Sequence, residues 1–139
     1  MPEKKTMKRA RAAKRAGKSP TTQAGEFVHE EIEHVREGKH GARSAKQAIA
    51  IGLAKARRAG IKLPPPPRSA KASTKRSAKA ASRAGRKRTR PLAKRSRAMS
   101  QRLKREPKNT VSTKALSRQA KSAARRRTGT RRRRTTATA

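Results

Sequence analysis

The chain has 139 residues, with 43 Lys and Arg against 7 acidic residues, which gives a formal net charge of +36. Its hydrophobic fraction is only 30%, most of it alanine, and it contains one Phe and no Trp or Tyr. Because such a chain has little apolar surface to offset the entropy of ordering, we predict a mostly disordered protein with a small all-α module. The lack of Cys excludes a disulfide framework and a thiolate metal site.

Charge divides the chain into regions of different character. Residues 1–20 carry a net +7 and form a basic N-terminal arm, whereas residues 21–63 are nearly balanced at +3. Residues 21–63 also hold nine of the 16 apolar side chains larger than alanine, so we predict a two-helix module there. The prolines at 64–67 form a stiff polyproline linker. Residues 68–139 form a basic, disordered tail.

The first predicted helix covers about 23–37. Apolar side chains recur there at intervals of four, four and three residues, which places them on one helical face. They are Ala24, Val28, Ile32 and Val35. Glutamates recur at four, three and four on the opposite face, and they are Glu26, Glu30, Glu33 and Glu37. Ser19 and Pro20 resemble an N-cap followed by proline at the first helical position, and Gly38 suits a left-handed C-cap.

The stretch HEEIEH at 29–34 resembles the start of a zinc site but lacks the spacing that helical zinc sites need. The H-E-x-x-H pattern requires a histidine where Glu33 stands, and the inverted H-x-x-E-H pattern requires one where Glu30 stands. His29 and His34 are five residues apart, so they point in different directions on a helix. We therefore predict no metal site.

The acidic face of this helix has two interpretations. In the first it is a solvated acidic face. In the second it docks a basic segment of the same chain or of another copy, because four like charges on adjacent turns repel one another and a cation relieves the repulsion. The acidic face would then restrain the tail until nucleic acid competes for it.

The second predicted helix covers about 45–59. Ser44 and Gln47 form a capping box, in which Ser44 accepts a hydrogen bond from the backbone N–H of Gln47 and the Gln47 side chain reaches back to Ser44. Gly60 suits the end of this helix. The helix pair is small for an independent domain, so we predict that either a homodimer or a bound ligand stabilises it.

Two helices joined by a turn also fit a helix-turn-helix, although this connection is longer than usual. In that interpretation Gln47, Lys55 and Arg58 contact DNA. In the tail, the segments 91–106 and 112–127 have the pattern of short helices, and we predict coil in isolation with some helix on binding.

The segment TQAGEFVHEEIEHVREGKHGARSAKQAIAIGLAKARRAGIKLPPP at 22–66 resembles a family of small basic bacterial proteins of unknown function. The resemblance implies a two-helix module paired with a Lys/Arg/Ala-rich tail, and it brings no catalytic residues. The tail is similar in composition to linker-histone tails and to bacterial histone-like proteins. The winged-helix domain of linker histones is missing, so their nucleosome docking does not transfer.

The predicted function is histone-like, largely sequence-independent binding and compaction of DNA by phosphate neutralisation. Arginine clusters add bidentate phosphate contacts that lysine cannot make. The candidate contacts lie in the arm, at the end of the second helix and in the tail. They are Lys8, Arg9, Arg11, Lys14, Arg15, Lys55, Arg57, Arg58, Arg86, Lys87, Arg88, Arg90, Arg125, Arg126, Arg127, Arg131, Arg132, Arg133 and Arg134.

Two alternatives stay open: an RNA-binding or ribosome-associated protein, and an adaptor whose helical pair binds a protein partner. Duplex DNA is favoured over RNA because the chain lacks stacking aromatics. We predict no enzyme activity and no cofactor, since no nucleophile–base pair or phosphate-cradling loop is present. No apolar run has membrane-spanning length and the basic N-terminus lacks the apolar region of a signal peptide. The expected location is the bacterial cytoplasm, on the nucleoid.

Overall fold

The computed structural model describes residues 2–136, and the side chains of residues 2–129. Residues 2–136 form six α-helices and no strand. In chain order the helices are α1 (Lys4–Arg15), α2 (Pro20–Arg36), α3 (Ala45–Arg58), α4 (Ala72–Lys87), α5 (Ala93–Arg105) and α6 (Thr113–Thr136). The prediction of a mostly disordered chain, with a helical hairpin flanked by low-complexity arms, is therefore wrong. The protein is a multi-helix, all-α fold.

The physical reason for this correction is the composition of the supposed arms. Alanine has the highest intrinsic helix propensity and Lys and Arg follow closely, so Ala/Lys/Arg-rich segments favour helix without large apolar side chains. Residues 64–139 contain 27 Lys and Arg and 14 Ala. Large apolar side chains are few there, but alanine loses almost no side-chain entropy when it is buried, so these segments form ordered helices without them.

The two helices predicted from periodicity are present and pack against each other. At their contact, a Cβ added to Gly52 of α3 would lie 2.6 Å from the Cα atom of Val28 of α2. Real Cβ atoms do not approach a backbone atom so closely, so this contact requires glycine. α2 begins at Pro20, earlier than the predicted start near 23, because Ser19 caps it by accepting a hydrogen bond from the Thr22 backbone N–H at 3.3 Å.

Of the two hydrogen bonds in the predicted capping box of α3, one is present and the other has a different partner. Ser44 accepts a hydrogen bond from the Gln47 backbone N–H at 3.2 Å, as predicted. The Gln47 side chain, however, accepts from the backbone N–H of Arg43 instead of Ser44. Gly38 and Gly60 both have positive φ angles, 75° and 94°, directly after the ends of α2 and α3. Both positions confirm the predicted left-handed helix ends.

The first buried cluster joins α1 to the α2–α3 pair. Its buried members are Ala10, Ala24, Phe27 and Ala56. Phe27, which the sequence places beside the apolar stripe of α2, is fully buried at 0% exposure. Met7 of α1 and Leu53 of α3 pack against the same cluster. The basic N-terminal segment is therefore part of the packed fold.

The second cluster joins the α2–α3 pair to the C-terminal region. Its buried members are Val35, Ala42, Ala48 and Val111. The α2–α3 connection also contacts the last turn of α5 and the chain after it, since the Gly41 and Ala42 N–H groups donate to the carbonyls of Leu103 and Pro107 at 2.8 and 2.9 Å. These contacts tie residues 103–111 to the predicted module.

α4 packs on α3 through small residues. Ala78 and Ala81 of α4 are buried, and a Cβ at Gly85 would collide with the backbone carbonyl of Arg57. By contrast, α5 has no buried residue, and Leu92, just before it, is 77% exposed. α5 is therefore attached through the chain segments at its ends, and its cationic side chains face solvent.

Candidate nucleic-acid interface

The carboxylates of the protein gather on one side of the molecule. Five of the seven Glu residues lie in or directly after α2, and a sixth, Glu3, joins them because its backbone N–H donates to Glu30 Oε2 at 3.2 Å. The seventh, Glu106, lies 3.5 Å from the guanidinium of Arg43. The acidic charge is therefore concentrated around α2, while α4 and α6 contain no acid at all.

The acidic face of α2 docks a basic segment of the same chain, and that segment is α1. Arg9 lies 3.8 Å from Glu26, and Glu30 is buried against the start of α1 and lies 3.6 Å from the Lys55 ammonium. The interpretation of this face as wholly solvated is thus wrong at Glu30. The docked cation belongs to the N-terminal segment, whereas the restraint hypothesis had placed the tail there.

Glu3 and Lys39 form an ion pair at the edge of the α1–α2 contact. A hydrogen bond from His34, followed by one from Lys39, lowers the pKa of the Glu3 carboxyl below its usual value. A hydrogen bond to Glu37 raises the pKa of Lys39. Both shifts favour the charged forms, so the ion pairs at the α1–α2 contact are present at neutral pH.

Lys55 does not lie where a phosphate contact needs it. Its ammonium contacts the carboxylates of Glu30 and Glu31, and its side chain is 25% exposed. It therefore neutralises buried acid inside the fold. The helix-turn-helix interpretation, which grouped Lys55 with Gln47 and Arg58, loses its central contact in this arrangement.

The ends of α3 and α4 bring several predicted contact residues together. Gly85 packs on the carbonyls of Arg57 and Arg58, so the last turns of both helices meet. We call the cations at this meeting point the junction patch. Its members are Arg57, Arg58, Arg86, Lys87, Arg88 and Arg90. All are exposed except Arg57, which is half-buried and whose guanidinium donates to the Pro64 carbonyl at 2.9 Å.

The electrostatics of the junction patch favour an anion. Cations at helix C-termini are stabilised by the helix dipole, but like charges carried by two helix ends that meet repel one another, and a phosphate relieves that repulsion. Burial lowers the pKa of Arg57, yet a guanidinium stays protonated at neutral pH. Arg88 caps α4 in the left-handed region at φ 50° and leads the chain into the exposed turn at 88–92.

The other predicted contacts are distributed over α1 and α6. Lys8, Arg11, Lys14 and Arg15 are exposed on α1, whereas Arg9 is engaged with Glu26. Arg125, Arg126 and Arg127 are exposed on α6. The backbone of residues 131–134 continues α6, and the side chains of Arg131, Arg132, Arg133 and Arg134 lie outside the described residues.

The candidate contacts left out Arg118 and Lys121 of α6, which lie beside the predicted Arg125 and Arg126, and all the cations of α5. α6 forms an open groove of about 420 Å³ lined by Arg118, Lys121, Ser122, Arg125 and Arg126, which share one helical face. α5 carries six exposed cations: Lys94, Arg95, Arg97, Arg102, Lys104 and Arg105. The intervals of three and four residues in the α6 set were readable in the sequence, but they place the side chains on one face only because the segment is a helix.

A cluster of different chemistry lies beneath the α1–α2 contact. Glu31, His34 and His40 each offer one donor atom, and these atoms all lie within 4.8 Å of one another. Sequence analysis tested His29 and His34 as a pair along α2. His40, which belongs to the α2–α3 connection, was not considered.

Comparison with known proteins gives one match. A family of unknown function (DUF6496) matches residues 11–67, which include α2, α3 and the C-terminal end of α1. No curated protein and no solved structure matches the chain. None of the described helices is long and apolar enough to span a bilayer. The predicted resemblance to an uncharacterised family is thus confirmed over residues 11–67, where the chain is similar to that family.

Proposed function

We propose that the protein binds nucleic acid, duplex DNA in preference to RNA, and compacts it by neutralising phosphates with little regard to base sequence. The observation that carries this proposal is the separation of charge. Carboxylates are gathered around α2 and are held by cations such as Arg9, Lys39 and Lys55. Residues 64–139, which contain α4, α5 and α6, hold a single acidic residue, Glu106, against 27 Lys and Arg.

The affinity comes from counterion release. Each Lys or Arg that neutralises a phosphate frees a condensed counterion, so log K falls with log salt by about 0.9 per contact. α5 spans 13 residues, or roughly 20 Å, and its six cations are about half as dense as the duplex phosphates along that length. Several helices must therefore contact DNA together to neutralise it.

Duplex is favoured because the protein offers no aromatic platform for bases. Phe27 is the single residue among Phe, Tyr and Trp in the sequence, and it is fully buried. Binding of unpaired bases relies heavily on stacking against such side chains. Phosphate contact with a duplex needs none of them.

Compaction follows from the distribution of cations over separate helices. The junction patch, α5 and α6 each present exposed positive charge, so one molecule can contact two duplexes. In a bacterial cell this activity would place the protein on the nucleoid, in the cytoplasm. A homodimer stays a prediction, and sedimentation of the free protein and of the complex tests it.

Fluorescence anisotropy with duplexes of unrelated sequence and with a folded RNA tests the proposal. We expect similar affinities for all duplexes, weaker binding to RNA, and a steep decline with salt. Light scattering should show condensation of long DNA. Preference for folded RNA would support the ribosome-associated alternative. Salt-insensitive binding, or no binding in dilute buffer, would contradict phosphate neutralisation.

A pair of charge-matched variants locates the interface. One variant replaces Arg58, Arg86, Lys87, Arg88 and Arg90 of the junction patch by Gln. Its control replaces the same number of exposed cations on α1, namely Lys4, Lys8, Arg11, Lys14 and Arg15. We expect the junction variant to lose more affinity, because its charges converge on one place. Equal losses would contradict the junction patch as a distinct interface.

A further inference from the structure

Glu31 is a buried carboxylate, and one of its two oxygens has no hydrogen-bond partner among the described residues. The residue is 0% exposed. Its Oε1 atom contacts the Lys55 ammonium. Its Oε2 atom lies 3.1 Å from His40 Nε2 but accepts no hydrogen bond from the described residues. A buried carboxylate oxygen without a partner lowers the stability of the fold, and a cation bound to it would remove that cost.

The two neighbouring histidines have their outer nitrogens committed. His34 Nε2 lies 3.0 Å from Glu3 Oε1, and His40 Nδ1 lies 2.9 Å from the Gly41 carbonyl oxygen. Carboxylate and carbonyl oxygens only accept, so each of these nitrogens carries the proton and donates. In the neutral rings the inner nitrogens, His34 Nδ1 and His40 Nε2, then present lone pairs.

Both inner nitrogens lie close to the Glu31 carboxylate. His34 Nδ1 lies 3.8 Å from Oε1 and His40 Nε2 lies 3.1 Å from Oε2. Three acceptors that converge in this way repel one another unless a cation lies between them. A zinc ion bound at about 2.0–2.2 Å by tetrahedral ligands separates those ligands by roughly 3.4 Å. The three ligand atoms lie within 4.8 Å of one another, so an inward movement of the side chains would bring them to that separation.

We propose that Glu31, His34 and His40 form a binding site for a divalent transition-metal ion, and that Zn²⁺ is its ligand. Two histidines and one glutamate are a known zinc ligand set that leaves a fourth position for water or a further ligand. Histidines that bind metal commonly donate their other nitrogen to a carboxylate or a backbone carbonyl. Glu3 and Gly41 supply those two acceptors here.

The charged groups around the site favour a cation, although the chain as a whole is strongly positive. Three carboxylates (Glu3, Glu30 and Glu31) surround the site, and the ammonium groups that face them belong to Lys39 and Lys55. The cluster therefore carries a net negative charge when its histidines are neutral. The site would link α2 to the α2–α3 connection, so metal binding should stabilise the fold.

Zinc titration of the untagged, chelator-treated full chain tests the site. In competition with a chromogenic chelator, we expect one Zn²⁺ bound per chain and a rise of several degrees in Tm. Co²⁺ in its place should give the intense visible absorption of a tetrahedral site. Absence of saturable one-to-one binding would overturn the proposal.

Single substitutions assign the ligands. His34→Gln and His40→Gln should each weaken zinc binding at least about a hundredfold, since each removes a direct ligand. His29→Gln is the matched control, because His29 is also on α2 but is 57% exposed and lies 3.6 Å from the exposed carboxylate of Glu33. It should bind as the unaltered protein does. Equal weakening by His29→Gln would overturn the assignment.

Circular dichroism of the metal-free variants shows whether they fold. If His34→Gln or His40→Gln loses its helices, ring-nitrogen NMR of the unaltered protein decides instead. Zinc should then shift His34 Nδ1 and His40 Nε2 and leave His29 unchanged. Resonances that do not respond to zinc would overturn the proposal. Neither result depends on whether the protein binds DNA.

Discussion

The N-terminal region α1–α3 and the C-terminal region α4–α6 are both helical, but different forces hold them. α1–α3 surrounds Phe27 and pairs its acids with cations across helices. α4 instead packs on α3 through alanine and glycine, and α5 buries no residue. A helix therefore needs no large apolar face here. Where such a face is missing, the cations stay exposed and available to a polyanion.

Removal of the Phe27 side chain should have the largest effect on the difference in stability between the two regions. Phe27→Ala leaves a cavity in the first buried cluster and should cost about 4 kcal/mol of the free energy of unfolding. Leu92→Ala, at an exposed position, should change stability by less than about 0.5 kcal/mol. Chemical denaturation followed by circular dichroism measures both.

The same experiment shows whether the two regions unfold together. Loss of all helical signal in Phe27→Ala would mean that α4–α6 depend on the α1–α3 core. Loss of roughly half would mean that high helix propensity maintains the C-terminal helices by itself. A stability equal to that of Leu92→Ala would contradict the central role of Phe27.

Neutralisation of α5 should affect binding without affecting the fold. Replacing its six cations by Gln should weaken duplex binding by several orders of magnitude in 50 mM salt and lower the salt slope by up to about 5. Gln has a helix propensity close to that of Lys and Arg, so the helix should persist. A control that exchanges each Lys of α5 for Arg and each Arg for Lys should bind normally. Unchanged binding of the Gln variant would remove α5 from the interface.

The α2–α3 contact predicts opposite effects for two glycine substitutions. Gly52→Ala places a methyl group against the Val28 backbone, and it should destabilise the protein by about 2 kcal/mol through overpacking. Gly25→Ala on α2 meets nothing within 4 Å, so it should stabilise by about 1 kcal/mol through helix propensity. Thermal melts of both variants check the sign. A stabilising Gly52→Ala would contradict the close helix contact.

The smallest expected effect is a change in how stability depends on pH in the acidic range. Because the pKa of Glu3 is lowered in the folded protein, its contribution to stability is complete above the usual value of 4.5 and is lost as pH falls through the lower folded value. Glu3→Gln should remove that part of the pH dependence and leave stability near neutral pH only slightly reduced, since Glu3 is solvent-exposed. Denaturant midpoints between pH 3 and 6 measure it. An identical pH profile would contradict the Glu3–His34 contact.

The helices α2 and α3 were predictable because periodicity and capping are local signals. Ser19, Ser44, Gly38 and Gly60 each lie at the helix boundary that their chemistry indicates. α5 and α6 were predicted only as short helices that form on binding, and α4 was placed in the disordered tail, because these segments hold few large apolar residues. Among the candidate contacts, Lys55 was misplaced because it lies opposite buried carboxylates that are 24 and 25 residues away in the chain.

The sequence by itself determined the excess of positive charge and the concentration of Glu in α2, because composition and helical spacing are properties of the linear chain. Tertiary structure alone decided which cations are neutralised, since ion pairing depends on distances between helices. It buried Glu31 and brought His40 to His34. It also brought the ends of α3 and α4 together, which made separate arginines into one patch. Electrostatic energy depends on separation in space, and spacing along the chain does not fix that separation.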